Sequence, residues 1–371
     1  MAKRGRAVAR MVMGMEQLEF YRGKRVFLTG HTGFKGSWLC AILTMAGAQV
    51  TGYALPPASP SLYELLHLDG KLDSVYGDVR DLDRLWEAFE QARPEIVFHL
   101  AAQPIVREGY RDPVGTYSTN VMGTVHLLEC VRRAGTVRSV LNVTTDKVYE
   151  NRQWPWGYRE SDGLNGIDPY ANSKSCSELV TDSYRSSFLA GRGVAVSTAR
   201  AGNVIGGGDF APDRILPDCV RAVRKGEAIR LRNPNSIRPY QHVLEPLSAY
   251  LLIAQRQYEN PGLAGSYNVG PDSRDCLTTG ALANLFCRAW GAPARWEHTG
   301  EAGPHEDAVL RLDCSKIQSV LGWRPKWHAE RAVAETVAWT KAWLAGNDIT
   351  VYMARQIEDY FAEFKSEKDD T

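Results

Sequence analysis

The sequence predicts an α/β fold built on a doubly wound parallel sheet. Within the first 200 residues, short apolar segments alternate six times with helical patterns, which is typical of a parallel sheet covered by helices on both faces. Residues 95–102 (EIVFHLAA) are almost continuously apolar, as expected of a central strand buried on both faces. A glycine-rich turn over residues 30–36 follows the first apolar segment directly. We therefore expect a first domain in which helices cover both sides of one sheet.

The individual elements follow from periodicity and from residues that end helices. Apolar residues recur at the spacing of one helix face over residues 81–91. Gly47 ends the first helix, and Pro94 stops helical structure before the fourth strand. The predicted strands are residues 25–29, 49–55, 72–79, 95–102, 139–145 and 194–200, and the predicted helices are residues 37–46, 81–91, 114–134 and 170–189.

Beyond residue 200 the alternation loosens, and we expect a smaller, discontinuous α/β lobe. It begins with the glycine-rich loop Gly202–Gly208, and its further elements are strands 228–232 and 266–269, a helix after Pro246, and helices 279–290 and 330–344. The predicted division is an N-terminal extension (1–20), a first domain (21–200, with 237–260 returning to it), a second lobe (201–236 and 261–350) and a C-terminal helix or tail (351–371).

Composition and charge exclude several classes of protein. The 371 residues are 44% hydrophobic and 23% charged, which excludes a mainly disordered chain. The 44 Lys and Arg balance 43 Asp and Glu, which argues against general attraction to nucleic acid or to anionic membranes. No segment approaches the roughly 20 apolar residues that span a bilayer. Arg10 interrupts the apolar part of the basic N-terminus, so we interpret this segment as an extension rather than a secretion signal.

The seven cysteines suggest core residues rather than crosslinks or ligands. Their number is odd, and the sequence contains no CxxC pair and no Cys/His cluster at zinc spacing. We therefore expect no disulfide framework and no metal, and we place the protein in a reducing cytoplasm.

The glycine-rich turn is typical of a dinucleotide-binding loop. Gly30, Gly33 and Gly36 stand at GxxGxxG spacing between the first strand and the first helix. Glycine lets the backbone approach a pyrophosphate, and the helix N-terminus directs N–H groups at the anion. His31 and Lys35 could add positive charge to this cradle, the alternative being that they are simply solvated.

The dinucleotide is predicted to be NAD, although the usual signature for its ribose is missing. The second strand ends in residues 52–57 (GYALPP), with neither an acidic residue for the ribose hydroxyls nor an arginine for a 2′-phosphate. Asp78, followed by Val79, ends the third strand and could contact the adenine ring instead.

A tyrosine and a lysine form a candidate acid–base pair. Tyr170 and Lys174 are spaced i, i+4 and so share one helix face. A lysine ammonium one turn away is expected to lower the tyrosine pKa from about 10. Thr144 and Thr145 end the preceding strand, so a hydroxyl and the Tyr–Lys pair can converge at the carboxyl edge of the sheet. By itself the spacing is common and often marks only an exposed helix face.

Together these motifs resemble the extended short-chain dehydrogenase/reductase family over about residues 23–345. They are the glycine loop, the strand end at Thr145, YxxxK, Leu100-Ala101-Ala102-Gln103 and Thr119-Asn120. In the second lobe, Gly202-Asn203-Val204 and Arg238-Pro239-Tyr240-Gln241-His242-Val243 look like the nucleotide-sugar branch of that family.

The resemblance implies a fold, a cofactor and catalytic residues. The fold is a Rossmann-type doubly wound parallel sheet with a smaller, discontinuous α/β substrate-binding lobe. The implied catalytic residues are Thr145, Tyr170 and Lys174. The implied cofactor is tightly bound NAD, with contacts from Gly30, His31, Gly33, Phe34, Lys35, Gly36, Asp78, Val79, Leu100, Ala101, Ala102, Gln103, Thr119, Tyr170 and Lys174.

Asp146 and Lys147, directly after Thr145, distinguish members of the branch. Epimerases place small neutral residues there, whereas 4,6-dehydratases are similar to this sequence in placing an acid, which most follow with Glu. Lys147 departs from that pattern but agrees with the dehydratases that act on CDP-glucose. The alternatives are a turn cap with a solvated lysine, an epimerase, a dehydratase for GDP-mannose or dTDP-glucose, and a non-catalytic dinucleotide sensor.

The implied reaction makes separate demands on each residue. Tyr170, assisted by Lys174 and Thr145, removes the proton of the hydroxyl on sugar carbon 4 while hydride passes to NAD. Asp146, its pKa raised by burial, protonates the hydroxyl leaving carbon 6. Lys147 serves as the base on carbon 5 or acts electrostatically on the enolate.

The expected partner is a nucleotide sugar, CDP-glucose, together with a second copy of the chain. Asn203 and Arg238 are predicted to bind its phosphates. His305 and Glu306 are candidates for further sugar contacts or are ordinary surface residues. Relatives pair through the helices after the fourth and fifth strands, so we expect a homodimer or homotetramer. Val121, Val125, Leu128 and Tyr184 could supply this surface or an internal core.

Overall fold

The molecule is built from short strands connected by helices. The computed structural model describes residues 17–300 and 309–362. In chain order its strands are β1 Arg25–Thr29, β2 Gln49–Ala54, β3 Asp73–Tyr76, β4 Ile96–His99, β5 Ser139–Val143, β6 Ala195–Ala201, β7 Val204–Ile205, β8 Ile229–Leu231, β9 Ile237–Pro239, β10 Gln241–His242, β11 Ser266–Val269, β12 Cys276–Thr278 and β13 Trp296–His298.

Seven of these strands form one parallel sheet in the order β11-β6-β5-β4-β1-β2-β3. The chain starts near the centre, moves outward through β2 and β3, and returns to β4 on the other side of β1. In sheets of this kind, ligands bind beyond the carboxyl ends of the strands, at the point where the order reverses. The strand order confirms the predicted doubly wound α/β class.

The predicted helices are present, with two π-helical interruptions, and four further helices, Leu62–Leu65, Val106–Arg111, Ile215–Arg224 and Ser315–Leu321, are not among the predicted ones. In chain order the helices are α1 Phe34–Met45, α2 Leu62–Leu65, α3 Leu82–Ala92, α4 Val106–Arg111, α5 Pro113–Tyr117, α6 Gly123–Arg133, α7 Pro169–Tyr184, α8 Ile215–Arg224, α9 Leu244–Glu259, α10 Thr279–Trp290, α11 Ser315–Leu321, α12 Ala329–Leu344 and α13 Ile349–Ala362. A π-helical turn at Ser118–Met122 joins α5 to α6, and another at Arg185–Leu189 follows α7.

Apolar layers cover both faces of the sheet because alternate strand residues point to opposite sides. Val26 and Leu28 of β1 pack with α1 and α9, whereas Phe27 packs with α3 and α6. Leu128 of α6 is buried in the second layer. Of the two placements considered for Leu128, a surface for self-association or an internal core, the structure shows the internal core, because this side chain points toward the sheet.

The second lobe has its own core, formed by three two-stranded pairs and by helices α8, α10 and α12. The pairs are β7 with β10, β8 with β13, and β9 with β12, and buried residues such as Leu216, Ile229 and Phe286 lie between them. β11 lies in the range predicted for this lobe but pairs with β6 in the large sheet. The predicted boundary is wrong for this strand, because its burial and pairing place it at the sheet edge.

All seven cysteines carry free thiols. Among residues 17–300 and 309–362, no helix is long and apolar enough to cross a membrane, and no three His, Cys, Asp or Glu side chains are grouped to hold a metal ion. Most of the expected N-terminal extension and the end of the expected C-terminal tail lie outside these residues.

Candidate active site

A cavity of about 980 Å³ lies above the carboxyl ends of β1, β4, β5 and β6, where the strand order reverses. One wall is the glycine loop with the N-terminus of α1. The floor is formed by the ends of β5 and β6 and the start of α7, and the far wall belongs to the second lobe. The cavity therefore joins the region expected to hold a dinucleotide to the region expected to hold a substrate.

The glycine loop is so tight that two of its residues must be glycine. Gly30 has φ +77°, and a Cβ there would lie 2.7 Å from the amide nitrogen of Ala101. A Cβ on Gly36 would lie 2.0 Å from the carbonyl oxygen of Gly30. Because backbone atoms cannot move aside cheaply, neither position tolerates a side chain. Together with Gly33 and Phe34, these residues line the cavity and open the helix N-terminus toward it.

The two candidate cations of the loop differ in placement. His31 is buried outside the cavity lining, and its Nε2 pairs with the hydroxyl of Ser74 at 2.7 Å. Burial lowers its pKa to about 4, so His31 is neutral at pH 7. The expectation that it adds charge is wrong, because its ring fills the space beside Gly52. Lys35 does line the cavity, and burial lowers its pKa to about 7.

Most of the other residues expected to contact NAD line the same wall. Oδ2 of Asp78 forms an ion pair with Nη2 of Arg80 at 2.6 Å, and the guanidinium lowers the pKa of the Asp78 carboxyl. Gln103 does not line the cavity: its amide nitrogen donates to Thr116, and its carbonyl oxygen accepts from the amide of Ile105. The residues that do line it are Asp78, Val79, Leu100, Ala101, Ala102 and Thr119.

Asp146 is a buried acid at the floor of the cavity. It begins a short 3₁₀ turn directly after β5 and is only 1% exposed. Its Oδ1 accepts from the Thr145 hydroxyl at 3.0 Å, whereas Oδ2 has no hydrogen-bond partner within the described part of the chain and faces Gly202. Burial raises the pKa of Asp146, opposed by the positive charges of Lys147 and Arg238. This environment favours the protonated acid.

Tyr170 and Lys174 line the cavity beside Asp146, at the start of α7. The helix begins here because Asp168 caps it, accepting from the amide of Ala171 at 2.9 Å. Lys174 Nζ donates to the carbonyl oxygen of Val143 at 3.0 Å, and burial lowers its pKa to about 8.

Tyr170 does not behave as the spacing predicts. Burial raises its pKa, and this effect outweighs the opposing hydrogen bond with Thr145 and the charge of Arg214. The expectation that Lys174 lowers the tyrosine pKa below its usual value is therefore wrong for this structure. The free-energy cost of removing the phenolate from water exceeds the stabilisation that the neighbouring groups provide. In this structure the phenol of Tyr170 is therefore protonated at neutral pH and can donate a hydrogen bond.

The substrate side of the cavity contains two of the four predicted residues. Asn203, at φ +39° in the loop after β6, and Arg238 of β9 both line it. Arg238 is nearly buried, and Nη1 donates to the carbonyl oxygen of Ile237 at 2.9 Å. His305 and Glu306 lie outside the described residues.

Several residues of the site carried no signal in the sequence. Arg214 lines the cavity near Tyr170 and Lys35. Arg107 of α4 pairs with Asp213 of the second lobe at 2.9 Å across the cavity lining. These residues lie in loops or short helices without a motif, so only the fold brings them to the site.

The sequence is similar to those of 4,6-dehydratases that act on nucleotide sugars. The family model described as GDP-mannose 4,6 dehydratase matches residues 27–279. The chain is 49% identical over 350 residues to the CDP-glucose 4,6-dehydratase of Salmonella typhimurium, covering 92% of this chain and 98% of that protein.

Solved structures show the same fold. The UDP-glucose 4-epimerase of Thermotoga maritima, determined with UDP-glucose, aligns with a TM-score of 0.76 at 24% identity, over 86% of this chain and 99% of that one. The dTDP-glucose 4,6-dehydratase of Bacillus anthracis, in complex with NAD, aligns with a TM-score of 0.73 at 19% identity, over 89% and 100%. From the family model and the Salmonella relative, this chain belongs to the GDP-mannose 4,6-dehydratase family, in the nucleotide-sugar branch of the extended short-chain dehydrogenases/reductases.

Proposed function

We propose that this protein is an NAD-dependent CDP-glucose 4,6-dehydratase, a hydro-lyase that converts CDP-glucose to CDP-4-keto-6-deoxyglucose and water. The observation that carries the proposal is the buried carboxyl of Asp146 beside the Tyr170–Lys174 pair. An epimerase needs no acid at this position, whereas loss of water from carbon 6 does. The 49% identity to the Salmonella enzyme supports CDP-glucose as the substrate.

The residues of the first domain fit NAD. The space beside Gly30 and Gly36 admits no Cβ, so the backbone there can approach a pyrophosphate closely. Leu100, Ala101, Ala102 and Thr119 would form the wall beside it, and Asp78 with Val79 would border the adenosine. NAD held here would accept a hydride from sugar carbon 4 and return it at carbon 6.

The first step needs a group that takes the proton from the hydroxyl on carbon 4. Tyr170 is the base, and Thr145 holds the same hydroxyl from the strand side. Tyr170 acts as a base only as the phenolate, so it must lose its own proton to solvent before this step. Burial raises its pKa and opposes that loss, and the ammonium of Lys174 one turn away on α7 supplies positive charge that favours the phenolate.

The second step removes water. Lys147, half-buried on the cavity wall, takes the proton from carbon 5 or stabilises the enolate that forms. Asp146 gives its proton to the hydroxyl that leaves carbon 6, and the C–O bond breaks as water forms. The carboxylate left behind is stabilised by Lys147 and Arg238, whose charges already favour its ionised form. This order of events uses the raised pKa of the acid directly.

The second lobe supplies the charge expected for a nucleoside diphosphate. Asn203 and Arg238 are the proposed phosphate ligands nearest the sugar. Further basic residues from the same part of the chain line the cavity, namely Arg214, Arg221, Lys225, Arg230 and Arg232, together with the acidic residues Asp209, Asp213, Asp218 and Glu227. An excess of cations in this part of the cavity suits a ligand that carries a diphosphate.

We also propose that the protein is a cytoplasmic homodimer that pairs through α5, α6 and α7. Large apolar side chains are exposed on this side, including Val114 (78% exposed), Leu179 (58%) and Phe188. A groove of about 510 Å³ runs along it between Pro113 and Cys176, and Val121 lines this groove. Apolar side chains grouped in this way are typical of a contact between protein chains. The free thiols suit a reducing compartment.

One assay tests the proposed function. The purified protein is incubated with NAD and, separately, with CDP-glucose, dTDP-glucose, UDP-glucose and GDP-mannose, and the alkaline ultraviolet absorbance of a 4-keto-6-deoxy sugar is read. We expect product from CDP-glucose at a rate at least tenfold above the others, and none with Tyr170→Phe. Conversion of CDP-glucose to an epimer without this absorbance, or turnover of another sugar alone, would overturn the proposal.

A further inference from the structure

A buried ion pair lies beneath the catalytic residues. Glu178 follows Lys174 by one turn of α7, and its carboxylate is 2.9 Å from the guanidinium of Arg200 in β6. Each residue is only 3% exposed. The desolvation cost of burying two charges often exceeds their mutual attraction, and apolar residues of similar size would serve packing equally well. Its position under the site therefore calls for a functional explanation.

The hydrogen bonds of Glu178 occupy both of its oxygens. Oε1 accepts from the hydroxyl of Thr144 at 2.5 Å, and Oε2 accepts from the hydroxyl of Thr198 at 2.7 Å as well as from Arg200. Such a set of donors stabilises the ionised carboxylate without water.

These bonds connect the two elements that carry the catalytic groups. Thr144 lies between Val143, whose carbonyl oxygen accepts from Lys174, and Thr145, which hydrogen-bonds with Tyr170. Glu178 therefore ties the end of β5 to α7 at the level of the site. Arg200 extends the connection, because Nη1 donates to the hydroxyl of Tyr149 at 2.9 Å, three residues after Asp146.

The charge of Glu178 also reaches Lys174. Burial lowers the pKa of Lys174 to about 8, and Glu178 opposes this shift. The other groups facing the ammonium are Lys35 of α1 and His99 of β4, together with Tyr170 one turn earlier on α7. His99 is neutral at pH 7, since burial lowers its pKa to about 3, and Lys35, whose pKa burial lowers to about 7, is only partly protonated at that pH. Among the described residues, Glu178 is the carboxylate that raises the pKa of Lys174, whereas Asp146 and Asp209 act in this way on Lys35.

We propose that Glu178 is a positioning residue of the reaction: it holds the strand end carrying Thr145 and Asp146 against the helix carrying Tyr170 and Lys174, and it places a negative charge, partly balanced by Arg200, one helical turn from the ammonium of Lys174. The inference rests on the proposed function in that Lys174 acts with Tyr170 on the bound sugar and NAD.

Two single variants test the proposal because they move the charge at Lys174 in opposite directions. In Glu178→Gln the negative charge is lost while Arg200 stays, so the limb of the pH profile that reports Lys174 shifts to lower pH. In Arg200→Met the positive charge that partly cancels the charge of Glu178 is removed, so the same limb shifts to higher pH. We expect about one pH unit in each case, which is tenfold in the protonation equilibrium of Lys174. Shifts in the same direction, or no shift, would overturn the proposal.

A second set of measurements separates positioning from folding and from the proposed function. Glu178→Gln leaves Arg200 buried without its partner and so could fail to fold. The double variant Glu178→Gln/Arg200→Met removes both charges. Its pH limb for Lys174 must lie between the limb of wild type and the limb expected for Glu178→Gln. Glu129→Gln, which breaks a surface pair with Arg132, is the control and must match wild type. The pH dependence of NAD affinity is measured in the same proteins without sugar, so these shifts are tested even where wild type fails to dehydrate CDP-glucose. Loss of activity that follows melting temperature alone, with unmoved pH limbs, would contradict the proposal.

Discussion

The place that the fold gives the side chain of Asp146 raises the pKa of its carboxyl. One oxygen accepts a hydrogen bond from Thr145, and the other is enclosed against Gly202, where a Cβ would come within 1.8 Å of it. An ionised carboxylate in such a place would be poorly solvated, which is why its pKa rises. In the proposed reaction, the environment of Asp146, more than its identity, suits it to act as a general acid.

Asp146→Asn tests this role with little change of shape. The amide cannot donate the proton that water needs to leave, so we expect water loss to slow by about a hundredfold or more while NAD content and oxidation at carbon 4 persist. In wild type, water loss should fall as pH rises through the raised pKa of Asp146, because the acid form disappears. The residual rate of the variant should lack this limb. Rapid-quench analysis over a pH series checks both points, and an unchanged rate would remove Asp146 from the mechanism.

Sequence patterns identified which residues meet at the site but not the physical state of each. Thr145, Asp146, Tyr170 and Lys174 could be predicted because strand ends and helix spacing locate them. The neutral state of His31 and the raised pKa of Tyr170 could not, because both depend on burial by residues distant in the chain. The i+8 spacing from Tyr170 to Glu178 was visible in the sequence, but its partners Thr198 and Arg200 come from another strand.

At the scale of elements, the long periodic segments were predicted well and the ends less so. Predicted strands ran past the true ends, as at residues 95–102 against Ile96–His99, because the apolar pattern continues into the cavity lining. The edge strand β11 was assigned to the wrong lobe, because sequence order does not show which strand it pairs with. The turn from β1 into α1 was predictable, since glycine spacing directly reflects close approach of the backbone.

Gly36→Ala tests that turn. The added Cβ would meet the carbonyl oxygen of Gly30 at 2.0 Å, so the loop must open and the pyrophosphate cradle is distorted. We expect NAD affinity to fall at least tenfold, or about 1.4 kcal/mol. Gly135→Ala is the matched control, because nothing lies within 4 Å of its Cβ. Equilibrium titration with NAD measures both, and equal affinity in the two variants would show that the loop does not contact the cofactor.

At the scale of the whole molecule, two lobes close over one cavity and an apolar side remains outside it. In the proposed reaction the catalytic groups come from the first domain, and Asn203 and Arg238, the proposed phosphate ligands, come from the second lobe, so neither lobe makes the site alone. The exposed apolar residues of α5 to α7 lie on the outer surface of the first domain, where half-buried Val121 lines the groove, whereas Leu128 is buried.

Leu179→Glu tests whether this side is the dimer contact. Leu179 is 58% exposed on α7, so a charge there should leave the fold intact but oppose burial between two chains. We expect wild type to sediment as a dimer and the variant as a monomer at micromolar concentration. Val351→Glu, at a residue 49% exposed on α13, is the control and should remain dimeric. A dimeric Leu179→Glu protein would place the contact elsewhere.

In the proposed reaction, Asp146 and Tyr170 act on a single hexose. A hydride leaves carbon 4 of this sugar and returns to carbon 6 of the same molecule. The most direct measurement uses CDP-glucose carrying deuterium on carbon 4, mixed with unlabelled CDP-glucose, and locates the label in the product by NMR and mass spectrometry. We expect the deuterium in the carbon 6 methyl group, without exchange between labelled and unlabelled molecules. Deuterium retained on carbon 4, or lost to solvent, would contradict the account.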